Sequence, residues 1–321
     1  MKPDVFAAVM ATGIVSIAAA YHGLDIISDA LAVVAAIGLP ILVVAAVVSW
    51  LRDPPDVSDP DVTIRLFTFV AACAVLDARL MMVPGVLWTL GALALLAWLV
   101  LSALTARNFA ARKWSDLQQQ AHGAWELASV GTSGLAIGCV ALADHTGWRP
   151  LLTVAVAIWA VAIAVYLLMT ALILARAFAA RLDPNGFEPD AWILMGGLAI
   201  ATLAGDHIHH AGIDAVRGVT IVTWVVATLW IVPLLFFGLR HIQRAEARHF
   251  AGVWWAMVFP LGMYSAATYA MAVETSWRIL PTVSLVFFWI AFVAWVIVAV
   301  GMLWRFGYRS KTSSDPGKTN A

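Results

Sequence analysis

Charge is scarce in this chain. Only 12% of its 321 residues are Asp, Glu, Lys or Arg, about half the share of a soluble domain. The apolar excess, 63% of residues, runs along the whole length, so one soluble core does not account for it. Cysteine is nearly absent as well. Cys73 and Cys139 both fall inside apolar runs and read as packing residues, not as a disulfide. There is no glycine-rich phosphate loop and no Ser-His-Asp set beyond coincidence of composition. An enzyme, a cofactor and a nucleic-acid partner are therefore not expected.

What is present is a series of long apolar stretches. A bilayer core about 30 Å thick takes about 20 apolar residues per helix. Ten stretches qualify: 5–21, 29–51, 64–83, 86–106, 123–143, 150–174, 190–205, 218–239, 252–273 and 279–304. The expected fold class is all-α and polytopic, with one ten-helix membrane domain over 1–306 and a disordered tail over 307–321. The first stretch has only Lys2 before it and nine more after it, so it does not read as a cleaved signal. Of the nineteen basic residues, all but Arg79, Arg149, Arg217 and Arg278 fall on the face that holds the termini. The positive-inside rule places that face, and both termini, in the cytoplasm of a cell-membrane protein.

Short outer links pair the stretches into hairpins, 1–2 through 9–10. Odd stretches hold ten glycines and even ones five, whereas tryptophan runs nine to four in favour of the even set. Glycine suits helices that approach one another or a pathway closely. Four odd stretches share a start, an aromatic followed by glycine five to eight residues on: FAAVMATG, WELASVG, WILMGG and WAMVFPLG. This predicts a five-fold repeat of hairpins, although the third stretch, LFTFVAACAVLDARL, lacks the glycine.

The segments FAAVMATGIVSIA, DAWILMGGLAIATLAG and WWAMVFPLGMYSAAT resemble the tellurite-resistance/C4-dicarboxylate transporter family. That group includes bacterial TehA-type proteins, fungal malate and sulfite transporters and plant slow anion channels. The resemblance implies a quasi-five-fold barrel with odd helices inside and even helices outside. It also implies a homotrimer with one pore per subunit and a phenylalanine on the ninth helix plugging that pore. The matching residue is Phe259.

Pro260 follows in a run, 252–273, that carries no charge. Proline removes a helical hydrogen bond, here to the Ala256 carbonyl, and can kink the wall of a pore. Phe259 is thus the expected gate and Pro260 its positioning residue; the plainer alternative is a lipid-facing Phe. Phe6, Gly13, Gly131, Gly134, Gly197 and Gly262 are the pore-lining candidates, and Arg79 and Glu126 the ion-mouth candidates. Arg79 draws anions or snorkels to the interface; Glu126 is expected to pair with a loop Arg or Lys. Odd stretches hold no deep Arg or Lys, and dicarboxylate capture normally uses such groups. A wall of Gly, Ala, Ser and Thr suits small monovalent anions such as chloride or nitrate, with dicarboxylates, sulfite or tellurium oxyanions as the runner-up. A remote alternative is a metal-dependent enzyme built on Asp206-His207-Ile208-His209-His210, with His145 as a further ligand.

Overall fold

The computed structural model describes residues 1–81, 83–179, 189–242 and 254–313, and twelve α-helices lie among these described residues. They are α1 (Ala7–Tyr21), α2 (Asp25–Arg52), α3 (Pro60–Arg65), α4 (Phe67–Arg79), α5 (Pro84–Ala110), α6 (Trp114–Gln120), α7 (Leu127–Thr146), α8 (Pro150–Ala179), α9 (Ile193–His210), α10 (Arg217–Ile242), α11 (Trp255–Thr275) and α12 (Leu280–Ser313). Short 3-10 turns at Gly123–Glu126 and Pro189–Trp192 lead into α7 and α9. α12 extends into the 307–321 segment expected to be a disordered tail; residues 314–321 lie outside the described residues.

Among the described residues, eight helices are long and apolar enough to cross a membrane. The two remaining expected crossings are shorter. α1 has 15 residues and α4 has 13, about 22 and 20 Å at 1.5 Å per residue. The stretch 64–83 is not one helix. Asp59 caps α3 by accepting the Asp61 N–H at 3.0 Å, with Pro60 behind it, and Leu66 separates α3 from α4. Hydropathy registers the apolar run but not the joint within it.

The packing order closes on itself. α1 packs on α4, α4 on α7, α7 on α9, α9 on α11, and α11 back on α1. Each of these five also packs on the helix that follows it in its hairpin: α2, α5, α8, α10 and α12. Burial divides the two sets. The apolar windows of α7, α9 and α11 are 78–89% buried, those of the five hairpin partners only 17–28%. Solvent-like apolar exposure on that scale is what lipid-facing helices present.

Polar seams hold the layers together. Ser16 and Ser28 each donate to the other's carbonyl, at 2.7 and 2.8 Å, across α1 and α2. Ser265 and Ser284 repeat the clasp across α11 and α12, at 2.8 and 2.7 Å. Tryptophans then tie four of the five hairpins to the next. Trp98 of α5 donates to Thr132 of α7, Trp224 of α10 to Thr268 of α11, and Trp295 of α12 to Thr12 of α1. Trp159 of α8 reaches the Ala201 carbonyl of α9. The fifth seam is bridged by Arg79 of α4, which donates to Ser16 and Ser28 at 3.0 Å each and pairs with Asp29. An indole N–H buried without a partner would be costly in lipid, so each such bond fixes how one helix is rotated against another.

Candidate pore and its inner mouth

All five helices of the closed cycle contribute to one small cavity at their N-terminal ends. Its walls are Ala7 and Met10 of α1, Thr68 of α4, Leu127 of α7, Ile193 of α9 and Ala256 of α11. The space is about 20 Å³, roughly the room one water needs. Asp4, Arg65 and Asp190 form its polar rim.

That rim is a linked charge cluster. Arg65 donates to Asp61 at 2.8 Å and pairs with Asp4 at 3.3 Å. His122 donates through Nδ1 to Asp190 at 2.6 Å and through Nε2 to Asp61 at 2.7 Å. Burial alone would lower the pKa of His122, but hydrogen bonds and charges from Asp190 and Asp61 outweigh it and raise it to about 9. Burial alone would raise that of Asp61, yet His122 and Arg65 bring it down to about 2. With both ring nitrogens donating, His122 has no lone pair for Arg65, whose Nη2 stands 3.4 Å from Nε2. Three carboxylates therefore hold two cations together. Asp190 also accepts the Ala124 N–H at 3.2 Å, which fixes the turn that starts α7.

None of Asp4, Asp61, His122 and Asp190 was singled out by sequence reasoning. A signal was available. Asp4, Arg65, His122 and Asp190 stand two or three residues before Phe6, Phe67, Trp125 and Trp192. The equivalent residues before Trp255 lie in 243–253, outside the described residues.

Phe259 is fully buried within the chain, so it does not face lipid. It lies three residues beyond Ala256, on the same face of α11 that walls the cavity. Pro260 falls in the second turn of α11, not at its middle, and its ring fits against Gly196 of α9: a Cβ there would lie 2.9 Å from Pro260 Cγ. Pro40 and Pro233 also sit inside helices, so an internal proline alone marks nothing.

The remaining candidates separate. Phe6 is buried at the start of α1 and stacks edge-on against Phe69, centroids 5.0 Å apart. None of the five candidate glycines opens onto empty space. Gly13 faces Val75, Gly131 faces Phe67 and Val70, Gly134 faces Ala74, Gly197 faces Tyr166, and Gly262 faces Ile14 and Val15. These are contacts between helices, where a side chain would hold the backbones apart. Glu126 is fully buried and accepts from Thr170 of α8 at 2.7 Å. The Arg or Lys partner expected for it is not found among the described residues. Among the hydroxyls of the cycle, Thr12, Ser16, Thr132, Thr202, Ser265 and Thr268 bond to outer helices, whereas Ser129 and Ser133 of α7 are buried with no hydrogen-bond partner among the described residues. At the outer ends, Asp206 and His210 approach Glu274 of α11, not His145.

Proteins of similar sequence identify the family. A profile described as voltage-dependent anion channel, SLAC1, matches residues 1–303. The uncharacterized transporter MJ0576 of Methanocaldococcus jannaschii is 24% identical over 327 residues, covering 93% of this chain and 91% of that protein. A second transporter of that organism, MJ0762, is 20% identical over 319 residues, 92% of each chain. The uncharacterized membrane protein Rv1735c of Mycobacterium tuberculosis is 30% identical over 148 residues, 43% of this chain and 75% of that protein. The chain is a multi-pass membrane protein and belongs to the voltage-dependent anion channel (SLAC1) family.

Proposed function

We propose that this protein passes small monovalent anions through a bore enclosed by α1, α4, α7, α9 and α11, with Phe259 as its gate. The ten apolar segments then form a quasi-five-fold barrel, both termini face the cytoplasm, and the subunits assemble as homotrimers. One observation carries the gate reading: Phe259 is fully buried on the same helix face as Ala256, one turn beyond the inner-mouth cavity. A ring in that place keeps the passage dry, and a dewetted constriction stops ions. Pro260, seated against Gly196, fixes the height of the ring. The walls named above are mostly apolar, and the two cations of the rim cluster, Arg65 and His122, are held by three carboxylates. Such a wall binds an anion weakly and releases it quickly, as conduction requires. It offers no free bidentate group for a dicarboxylate.

A second reading, proton-coupled carriage of dicarboxylates, sulfite or tellurium oxyanions, has support from two carboxylates. Asp77 Oδ1 and Glu126 Oε2 are buried with no hydrogen-bond partner, and intramembrane carboxylates commonly relay protons. Purified protein in liposomes tests both. Phe259→Ala is expected to raise chloride and nitrate flux at least tenfold over wild type, independently of any pH gradient. Flux that stays at background in a correctly folded variant would sink the gate, and malate flux that follows a proton gradient would favour the carrier.

A further inference from the structure

A second polar cluster, unused by conduction, joins the outer ends of α9 and α11. The last turn of α9 supplies Asp206, His209 and His210, and the last turn of α11 supplies Glu274. One ligating atom from each of Asp206, His210 and Glu274 lies within 4.8 Å of the other two. Tetrahedral zinc with 2.0–2.2 Å bonds keeps its ligand atoms about 3.4 Å apart, so modest side-chain movements close the trio on an ion. Asp206 is buried, and its Oδ1 accepts no hydrogen bond. His210 Nδ1 stands 3.4 Å from that oxygen but bonds to the Asp206 carbonyl at 2.9 Å instead. A buried carboxylate oxygen without a donor is expensive unless a cation meets it. Arg217 does not remove the opportunity: it pairs with Oε1 of Glu274 and leaves Oε2, which lies 3.6 Å from His209 Nε2.

We propose that Asp206, His210 and Glu274 form a binding site for a divalent transition-metal ion of the zinc type. One imidazole and two carboxylates suit zinc; calcium and magnesium take all-oxygen shells. His210 is half exposed, so the ion enters directly from the outer solution. His209 stands ready as a further donor. Because the ligands come from two helices of the closed cycle, the ion clasps the outer end of α11 to α9, while Pro260 against Gly196 joins the same helices lower down.

The test uses full-length protein in nanodiscs, stripped with EDTA, dialysed, and titrated with zinc chloride by calorimetry. Wild type is expected to bind one zinc per chain and to melt at a higher temperature with zinc than without. His210→Ala and the near-isosteric Asp206→Asn are expected to weaken binding at least tenfold and to lose the thermal shift. His145→Ala, an outer-face histidine outside the trio, retains both, and calcium or magnesium chloride produces neither. Gel filtration reports whether each variant stays folded. Wild type that takes up no stoichiometric zinc, or His210→Ala and Asp206→Asn that bind it as wild type does, would overturn the site. This readout owes nothing to anion flux, so it stands or falls apart from the conduction reading.

Discussion

His122 is a cation where burial by itself favours the neutral ring, and this makes the inner-mouth cluster sensitive to pH. Its folded pKa of about 9 lies above the ordinary 6.5. Its contribution to stability is therefore complete below about 6.5 and is lost as pH rises through about 9. Asp61 runs the other way: its contribution is present above 3.8 and is lost as pH falls through about 2. We expect His122→Ala to melt below wild type at pH 7 and to lack the wild-type decline between pH 7 and 10. Parallel pH profiles for the two proteins would show that the cluster does not hold the mouth. At this scale the sequence was partly legible. The spacing of Asp4, Arg65, His122 and Asp190 before an aromatic recurs visibly, but only the fold shows that four such positions converge.

Helices were easier to read than the faces they present. Among the described residues, nine of the ten stretches correspond to single helices, with a 3-10 lead-in at 123–126 and 189–192, and the exception is the α3–α4 joint at Leu66. The glycine-rich segments α7, α9 and α11 are the more buried and their tryptophan-rich hairpin partners the more exposed, for a physical reason visible in the packing. Glycine permits the close seams of the cycle, as where a Cβ at Gly134 would come within 2.7 Å of Ala74 Cβ. Tryptophan gives an outer helix a long apolar body with one N–H to spend on the next hairpin. Trp295→Phe keeps the body and loses the bond to Thr12. We expect a loss of about 0.5–1.5 kcal/mol. A double-mutant cycle with Thr12→Val checks it: additive losses would mean that the bond contributes nothing.

The whole molecule is organised by sidedness. Basic residues gather on the face that holds the N-terminus, and the same face carries the Arg65–His122 cluster. The opposite face carries Asp206, Glu274 and the neighbouring histidines. If that asymmetry sets orientation, reporters active only in the cytoplasm will be active when fused to either terminus. Activity restricted to periplasmic reporters, or different sides for the two ends, would contradict the proposed topology. Some hydroxyls of the closed cycle are engaged by outer helices, while those of Ser129 and Ser133 on α7 are buried with no hydrogen-bond partner among the described residues. Thr12, Thr132 and Thr268 each meet a tryptophan from an outer helix.

By itself, the sequence determined which segments leave water, how they pair into hairpins and which of them pack closely, because hydropathy and residue size act locally along the chain. The tertiary structure alone decided which way each helix is turned. That rotation turns Phe259 away from lipid, gives Glu126 a threonine in place of a cation, and brings Glu274 to Asp206 across sixty-eight positions of chain. Helix rotation is set by neighbours distant in sequence, through seams such as Ser265–Ser284 and Trp98–Thr132, and no periodicity within one segment records it.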